Sequence, residues 1–207
     1  MELNLVLSFL TASFLLALMP GPDNIFVLTE SITKGKRNGI AISIGLCSGV
    51  IIHTLAAATG LSLIIQNSAI AFQIIKYLGA AYLLYLAFLT LKEKKSEITF
   101  SKEKGEFNFW KLVRQGFLMN VLNPKVSLFF IAFLPQFVST NGFNITLQMI
   151  ILGVIFMAIS LFTFVMISIM SGQLSSYLNN DKFWKYTKYG KALVLGFLGI
   201  ALAFSKK

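Results

Sequence analysis

Charged residues are scarce in this chain, and their scarcity sets the class of protein. Only 13% of the 207 residues are charged, whereas 56% are hydrophobic, and the mean hydropathy is +0.76. A soluble domain usually carries about twice this charged fraction, so the composition is that of a membrane protein. The net charge of +10 does not predict a nucleic-acid partner, because the basic residues lie in short loops between apolar runs rather than on one soluble face.

Cysteine is almost missing as well. The single Cys47 excludes an internal disulfide, a thiol-pair redox mechanism within the chain and a cysteine-rich metal site. The apolar run that follows Met1-Glu2 has no Lys or Arg ahead of it, so a cleavable signal peptide is not expected. The chain also lacks the spacing of a nucleophile–base pair or of a metal motif, so we expect neither an enzyme nor a cofactor.

Apolar stretches long enough to cross the hydrocarbon core, which takes about 20 residues, are abundant. They predict an all-α integral membrane protein with six transmembrane helices at residues 3–33, 38–65, 72–91, 112–138, 145–171 and 189–204. The first stretch is too long for one straight crossing. A five-span alternative, in which its second part lies at the interface and Glu30 pairs with Lys34, therefore stays open.

Basic residues concentrate in three stretches, residues 34–37, 92–114 and 182–191. With six spans, all three stretches fall on the same side of the membrane. The positive-inside rule then places these loops in the cytoplasm and both termini outside.

The few prolines all lie in two of the apolar stretches, beside polar residues. The first break reads Met19-Pro20-Gly21-Pro22-Asp23-Asn24, and the second reads Asn120-Val121-Leu122-Asn123-Pro124-Lys125. Proline removes a backbone donor, and in hydrocarbon the freed groups persist only where protein or a water-filled cavity satisfies them. Paired broken helices are the best sequence pointer to the binding site of a secondary transporter. We predict helix breaks at Pro20, Gly21, Pro22 and Pro124.

The broken stretches come first in each half of the chain, which indicates an internal repeat. Residues 1–91 would form a first three-helix repeat, 92–111 a cytoplasmic linker and 112–207 a second repeat. Three spans in each half require the halves to be inverted in the membrane, giving a 3+3 inverted repeat. Chance similarity among six hydrophobic runs is the alternative.

Asp23 is one of only two acids within the hydrophobic regions. An ionisable residue at membrane depth is a functional hypothesis by default: ionised, Asp23 would attract an ammonium group, and neutral, it would carry a proton. Its alternative role is to cap the half-helix that begins beside it. Asn24 would either bind substrate or satisfy the broken backbone.

The second break has the opposite electrical character. Asn123-Pro124 is typical of an N-cap followed by the first residue of a helix, whose positive end suits a carboxylate. Lys125 adds a full charge there, with snorkelling to the interface as its alternative, and Asn120 would share a face with Asn123. The predicted substrate-binding residues are thus Asp23, Asn24, Asn120, Asn123 and Lys125.

Gly45, Gly49 and His53 recur at a spacing of four, which places them on one helical face. The glycines predict close helix contact, so His53 would face the bundle. There it would join Asp23 in proton coupling or serve as a hydrogen-bonded structural histidine. Lys76 is expected to snorkel, and Ser160 to be a packing position.

Several of these motifs, in this order, resemble the LysE/RhtB family of bacterial amino-acid exporters. They are Pro20-Gly21-Pro22-Asp23, residues 76–86, residues 116–125 with Asn123-Pro124-Lys125, and residues 133–137 with Leu-Pro-Gln-Phe. The resemblance covers essentially the whole chain. It implies export of amino acids or close derivatives across the bacterial inner membrane, by proton antiport with alternating access. Its partners would be the small substrate, protons and lipid, and a homo-oligomer is left open.

This chain departs from some relatives, which carry an acid near Val50 and near Ser160, where it is uncharged. The departure moves ion coupling onto Asp23 and His53, and it favours a neutral amino acid over a cationic one. Two other functions stay open, a heavy-metal cation exporter of similar architecture and a membrane scaffold without transport. A metal exporter would need clustered ligands, and the sequence shows no common metal site for its few candidates.

Overall fold

The computed structural model describes residues 2–93, 106–139, 142–178 and 180–204. Within these ranges the regular structure is entirely helical: α1 (Leu3–Leu18), α2 (Pro22–Lys34), α3 (Lys36–Ala56), α4 (Ser62–Asn67), α5 (Ala69–Lys92), α6 (Phe109–Val121), α7 (Pro124–Leu128), α8 (Ile145–Ile169), α9 (Ser171–Leu178) and α10 (Asp181–Phe204). A π-helical turn joins α3 to α4, and a π-helical and a 3₁₀ turn carry α7 on to Phe137. Most of the predicted linker, residues 94–105, lies outside the described residues.

Four helical stretches are long and apolar enough to cross a membrane, and they are Lys36–Ile65, Ala69–Lys92, Ile145–Ile169 and Asp181–Phe204. Two bent pairs raise the number to six if each pair is one span. The predicted all-α membrane protein is thus confirmed, with four to six spans. The last helix begins at Asp181, earlier than its apolar run, because the polar residues before the run continue the helix.

Each bend lies where a proline opens a new helix. The axis turns by 54° between α1 and α2, and by 50° between α6 and the stretch Pro124–Phe137. Pro22 and Pro124 stand in the first turn of α2 and α7, where the amide hydrogen that proline lacks would have had no intrahelical partner. The residues before them, Gly21 and Asn123, are extended.

Small residues let the helices around the breaks approach closely. The helix α3 packs against α6 and α8, α5 against α10, and α1 against α8. A Cβ atom added at Gly45 would meet the backbone of Val113, and one added at Gly49 would lie 2.8 Å from the Asn120 Cβ. The close helix contact predicted for these two glycines is therefore confirmed.

Phenylalanine rings fill the core beside the second bend. In the α7 continuation, Phe129 contacts Phe9 of α1 and Phe156 of α8, with ring centroids 6.0 and 5.2 Å apart, and Phe137 contacts Phe9 at 5.2 Å. Phe133 lies between Phe129 and Phe137, with ring centroids 5.3 and 5.1 Å from theirs. These contacts anchor the second bent pair to α1 and α8. The second bent pair is thus held in place by aromatic packing as well as by the polar residues at its break.

One buried amide holds the loop before α8. The Gln148 side chain is fully buried; its oxygen accepts from the Ser139 amide at 2.9 Å, and its nitrogen donates to the carbonyls of Ser139, also at 2.9 Å, and of Phe143. A buried backbone left without such partners would be costly, so Gln148 satisfies the backbone of Ser139 and Phe143 on the way into α8.

Two sequence expectations about lysines had opposite outcomes. The helix pair of Glu30 and Lys34 is confirmed, with the Lys34 Nζ 3.1 Å from the Glu30 Oε1. The expectation that Lys76 snorkels is wrong, because its side chain is only 3% exposed and its Nζ lies 4.7 Å from the Tyr77 ring centroid. Lys76 faces protein because α5 packs along both α10 and the α7 continuation.

Candidate functional site

The two breaks touch each other through their polar side chains. The Asn123 Nδ2 donates to the Asp23 Oδ2 at 2.7 Å across one hundred residues of sequence, and both residues are buried. Asp23 sits in the first turn of α2, where the helix dipole favours a negative charge. Hydrogen bonds to an ionised group are about twice as strong as neutral ones. The bond therefore joins the two halves at their breaks.

Asn123 also caps its own helix. Its Oδ1 accepts from the Lys125 backbone amide at 3.0 Å, which satisfies one of the donors left free at the start of a helix. The cap fixes the orientation of the side-chain amide, because a flip would turn an NH₂ group toward the Lys125 N–H. With the oxygen held by the cap, the nitrogen points at Asp23.

Asn24 bridges the first break. Its Nδ2 donates to the Ala17 carbonyl at 2.8 Å and so satisfies one of the carbonyls left free at the end of α1. Two roles were predicted for Asn24, binding substrate or satisfying the broken backbone, and this bond corresponds to the second. The Asn24 Oδ1 is buried without a hydrogen-bond partner among the described residues.

Lys125 reaches from the second break to the first. Its Nζ lies 3.4 Å from the carbonyl oxygens of Leu16 and Met19, where α1 ends and where the helix dipole favours a cation. A Cβ atom added at Gly21 would lie 3.3 Å from the same Nζ. Lys125 is thus held by the end of α1 and does not snorkel.

A small cavity lies between the breaks and α8. Its volume is about 10 Å³, and it is lined by Leu16, Ala17, Asp23, Asn120, Lys125, Val126, Phe156, Ser160 and Phe164. Ligand pockets usually measure roughly 300–1,000 Å³. A substrate therefore fits here only after the surrounding helices separate.

A larger groove, of about 520 Å³, lies elsewhere, along α5 between Ala69 and Leu78. It is open, its lining is almost wholly apolar, and it holds no charged side chain. Its apolar side chains are largely exposed on the outside of a membrane span, where they suit contact with lipid. The small cavity, which is lined by Asp23 and Lys125, is therefore the better candidate for the functional site.

His53 faces the bundle and contacts the second break. Its Nε2 lies 3.1 Å from the Asn120 carbonyl oxygen, and its ring centroid is 5.9 Å from that of Phe130. His53 is not one of the described residues that line the cavity. Asn120 does line it, and the Asn120 Oδ1 is buried without a partner in the described part of the chain. His53 therefore contacts a residue that lines the cavity without lining the cavity itself.

Three residues of α8 line the cavity, and the sequence had not marked them for function. Phe156, Ser160 and Phe164 follow one another at a spacing of four, and they line the cavity together with residues of the two bent pairs. The sequence predicted a packing role for Ser160, a position near which some relatives carry an acid. The spacing was visible in the sequence, but α8 is apolar on every side, so no single face of the segment stood out.

Metal ligands do not gather in the residues described by the structure. In those ranges no three His, Cys, Asp or Glu side chains lie close enough together to hold a metal ion. The predicted intramembrane acid at Asp23 has an amide partner instead.

Comparison with known proteins assigns the chain to a family. A family model for LysE type translocators matches residues 14–206. The chain is 30% identical over 208 residues to the uncharacterized membrane protein YrhP of Bacillus subtilis (strain 168), covering 97% of this chain and 99% of that protein. It is 29% identical over 200 residues to the leucine efflux protein of Salmonella typhi, covering 94% and 91% of the two chains. No solved structure matches it significantly. The chain belongs to the LysE type translocator family, and it is a membrane protein of that family.

Proposed function

We propose that this protein exports amino acids or close derivatives, preferably neutral ones, from the cytoplasm by proton antiport with alternating access. The observation that carries the proposal is that Asp23 and Lys125, opposite charges from the two breaks, line one buried cavity. A zwitterion offers an ammonium to the first and a carboxylate to the second. The leucine efflux proteins among the relatives support the same class of substrate.

Substrate binding would exchange partners within the site. In the structure the Asp23 carboxylate binds the Asn123 amide, and the Lys125 ammonium binds carbonyls at the end of α1. An incoming substrate ammonium takes Asp23 and the unpartnered oxygens of Asn24 and Asn120. The substrate carboxylate takes Lys125 at the start of α7. The substrate ammonium thus takes the place of the Asn123 amide at Asp23, and the substrate carboxylate takes the place of the α1 carbonyls at Lys125, so both buried charges keep a partner.

A proton would then release the substrate. Protonation of Asp23 from outside removes the negative charge that holds the substrate ammonium, so the substrate leaves outward. His53 is the second proposed proton-coupling residue, and its contact with the Asn120 carbonyl supports a route from α3 to the cavity. Return of the proton to the cytoplasm restores the ionised carboxylate for the next substrate.

The proposed topology has six spans, with residues 34–37, 92–114 and 182–191 in the cytoplasm of a bacterium. The contact of Glu93 with Lys188 and Lys191 supports it, because the Lys188 Nζ donates to the Glu93 carbonyl at 2.8 Å and the Lys191 Nζ lies 2.7 Å from the Glu93 Oε1. Two of the basic stretches are thus at the same end of the molecule.

The packing also supports an inverted repeat of residues 1–91 and 112–207 around the linker 92–111. The helix α5 pairs with α10, and α3 with α8. The first bent pair packs on α8 as the second packs on α3. Exchanging the two halves maps each of these pairings onto itself or onto another, as a two-fold axis in the membrane plane requires.

Transport by reconstituted protein tests the proposal. Proteoliposomes are loaded with leucine, alanine, lysine or glutamate, and efflux of the amino acid is measured with and without a pH gradient. We expect efflux of the neutral amino acids that the gradient accelerates, and loss of that acceleration in Asp23→Asn. Asp181→Asn, which alters an exposed acid at the start of α10, is the matched control. Gradient-driven efflux that survives unchanged in Asp23→Asn contradicts the mechanism.

Lys125→Met tests the carboxylate site separately. Removing the ammonium is expected to raise the KM for amino acids by at least about tenfold, the loss of one charged hydrogen bond. Lys111→Met, an exposed lysine in the first turn of α6, serves as its control. An unaltered KM in Lys125→Met rejects the role of that lysine.

A further inference from the structure

We propose that Phe156, Ser160 and Phe164 of α8 form the subsite for the substrate side chain, and that this subsite selects apolar amino acids. The inference rests on the proposed export of amino acids, and it adds the residues that determine which amino acids are exported. All three side chains are buried, with 3%, 3% and 5% of their surface exposed. Their spacing of four places them on one face of α8, and all three line the cavity between the breaks.

The cavity has polar and apolar lining residues, which come from different helices. The bent pairs supply the charged and amide side chains of Asp23, Asn120 and Lys125, together with some apolar residues, whereas α8 supplies Phe156, Ser160 and Phe164 and no charge. An amino acid whose ammonium and carboxylate are held at the breaks must direct its side chain toward α8. The substrate side chain is therefore read by the apolar wall.

The composition of α8 excludes a charged side chain from that wall. The helix Ile145–Ile169 contains no Asp, Glu, Lys or Arg, so a charged substrate side chain would be buried without a partner, at a large cost. A hydrophobic pocket distinguishes side chains that differ by one methylene by roughly 10–200-fold. The same residues would therefore exclude substrates with a charged side chain and discriminate among apolar side chains by size.

The three subsite residues of α8 also lie at the boundary between two apolar clusters. Phe156 belongs to the core around the second bend, with ring centroids 5.2 Å from Phe129 and 5.3 Å from Phe130. Phe164 belongs to a second cluster, with Val27 of α2 and Leu46 of α3. Ser160 lies between the two clusters.

Substrate selectivity of variants in proteoliposomes tests the subsite. For each variant, kcat/KM is measured for alanine, leucine and phenylalanine. Phe164→Ala removes a ring and enlarges the subsite, so we expect the ratio of kcat/KM for phenylalanine to kcat/KM for leucine to rise at least about tenfold. Ser160→Val adds side-chain volume and narrows the subsite, so we expect the ratio of kcat/KM for leucine to kcat/KM for alanine to fall by a similar factor. Phe162→Ala, which removes a ring that is 59% exposed on the outer side of α8, should keep the wild-type ratios.

The outcomes separate the subsite from the function on which it rests. Wild-type protein that releases no amino acid refutes the proposed function, and the subsite falls with it. Wild-type protein that exports leucine, while both subsite variants keep the wild-type order of substrates, refutes the subsite alone. If Phe164→Ala is too unstable to reconstitute, Ser160→Val decides. A second readout is the rise in melting temperature that leucine and alanine give to each solubilised variant, which should follow the same order as kcat/KM.

Discussion

Exchanging the two partners of the bond between the breaks is the sharpest test of the site. Asn123→Asp keeps the oxygen that caps the Lys125 amide but removes the nitrogen that donates to the Asp23 Oδ2 at 2.7 Å. It also places two carboxylates in contact, so that one of them must take up a proton. The double variant D23N/N123D restores the pair with its polarity reversed, because the amide at position 23 now donates to the carboxylate at position 123.

The size of the effect follows from the burial of the pair. A hydrogen bond to a charged group contributes about 1.5–3 kcal/mol, and Asp23 and Asn123 are only 2% and 7% exposed. A loss of about 2 kcal/mol lowers the melting temperature of a protein of this size by about 4–8 °C. We expect that drop in N123D, a smaller one in D23N, and recovery of most of the loss in the double variant.

Thermal melting of the detergent-solubilised protein measures all three variants. Asn108→Asp is the matched control, because Asn108 caps α6 through its Oδ1, at 3.0 Å from the Lys111 amide, and is exposed. Its melting temperature should stay within about 2 °C of wild type, since an exposed cap keeps its acceptor when Asn becomes Asp. A double variant that melts as low as the sum of the single losses would show that the two side chains do not interact, and the contact between the breaks would be refuted.

Three further predictions concern the packing around the site. Gly116→Ala should lower stability by about 1–3 kcal/mol, because its Cβ would meet backbone atoms of α3, whereas Gly190→Ala, with open space around it, should not; melting of the two variants compares them. Gln148→Leu should speed hydrogen exchange at the Ser139 amide, which loses its acceptor; wild-type protection there would contradict the role given to this side chain. Glu93→Gln should cost less than about 1 kcal/mol, because the Glu93 side chain is 41% exposed in its pair with Lys191; a large fall in melting temperature would contradict that estimate.

The elements of the fold were largely predictable, because each depends on local chemistry. Long apolar runs predict spans, and the structure has helices in all six stretches. Proline beside Asn and Asp predicts where a helix ends and the next begins, and α2 and α7 begin at Pro22 and Pro124. The spacing of Gly45, Gly49 and His53 predicts a shared face, and that face packs on α6.

The partners within the site were not predictable, because they depend on geometry that no local pattern encodes. Whether Asn123 meets Asp23 depends on bends of 54° and 50° and on the phenylalanine packing that anchors the second bend. From the sequence, Lys125 could either bind the substrate or snorkel to the membrane interface. Only the assembled bundle shows that its ammonium lies at the end of α1. The roles predicted for these residues in binding and proton coupling stay predictions.

The bridge that Asn24 forms across the first break has a mechanical consequence. Its bond to the Ala17 carbonyl ties the two arms of that bend together, as the Asn123 cap secures the start of the second bend. We therefore expect each bent helix pair, here called an elbow, to keep its angle rather than to act as a hinge. Between the elbows, by contrast, the polar contacts described are one short hydrogen bond from Asn123 and two long ones, of 3.4 Å, from Lys125. We expect the elbows to move as rigid bodies, so that a transport cycle breaks and remakes a few bonds between them while every turn of helix stays folded.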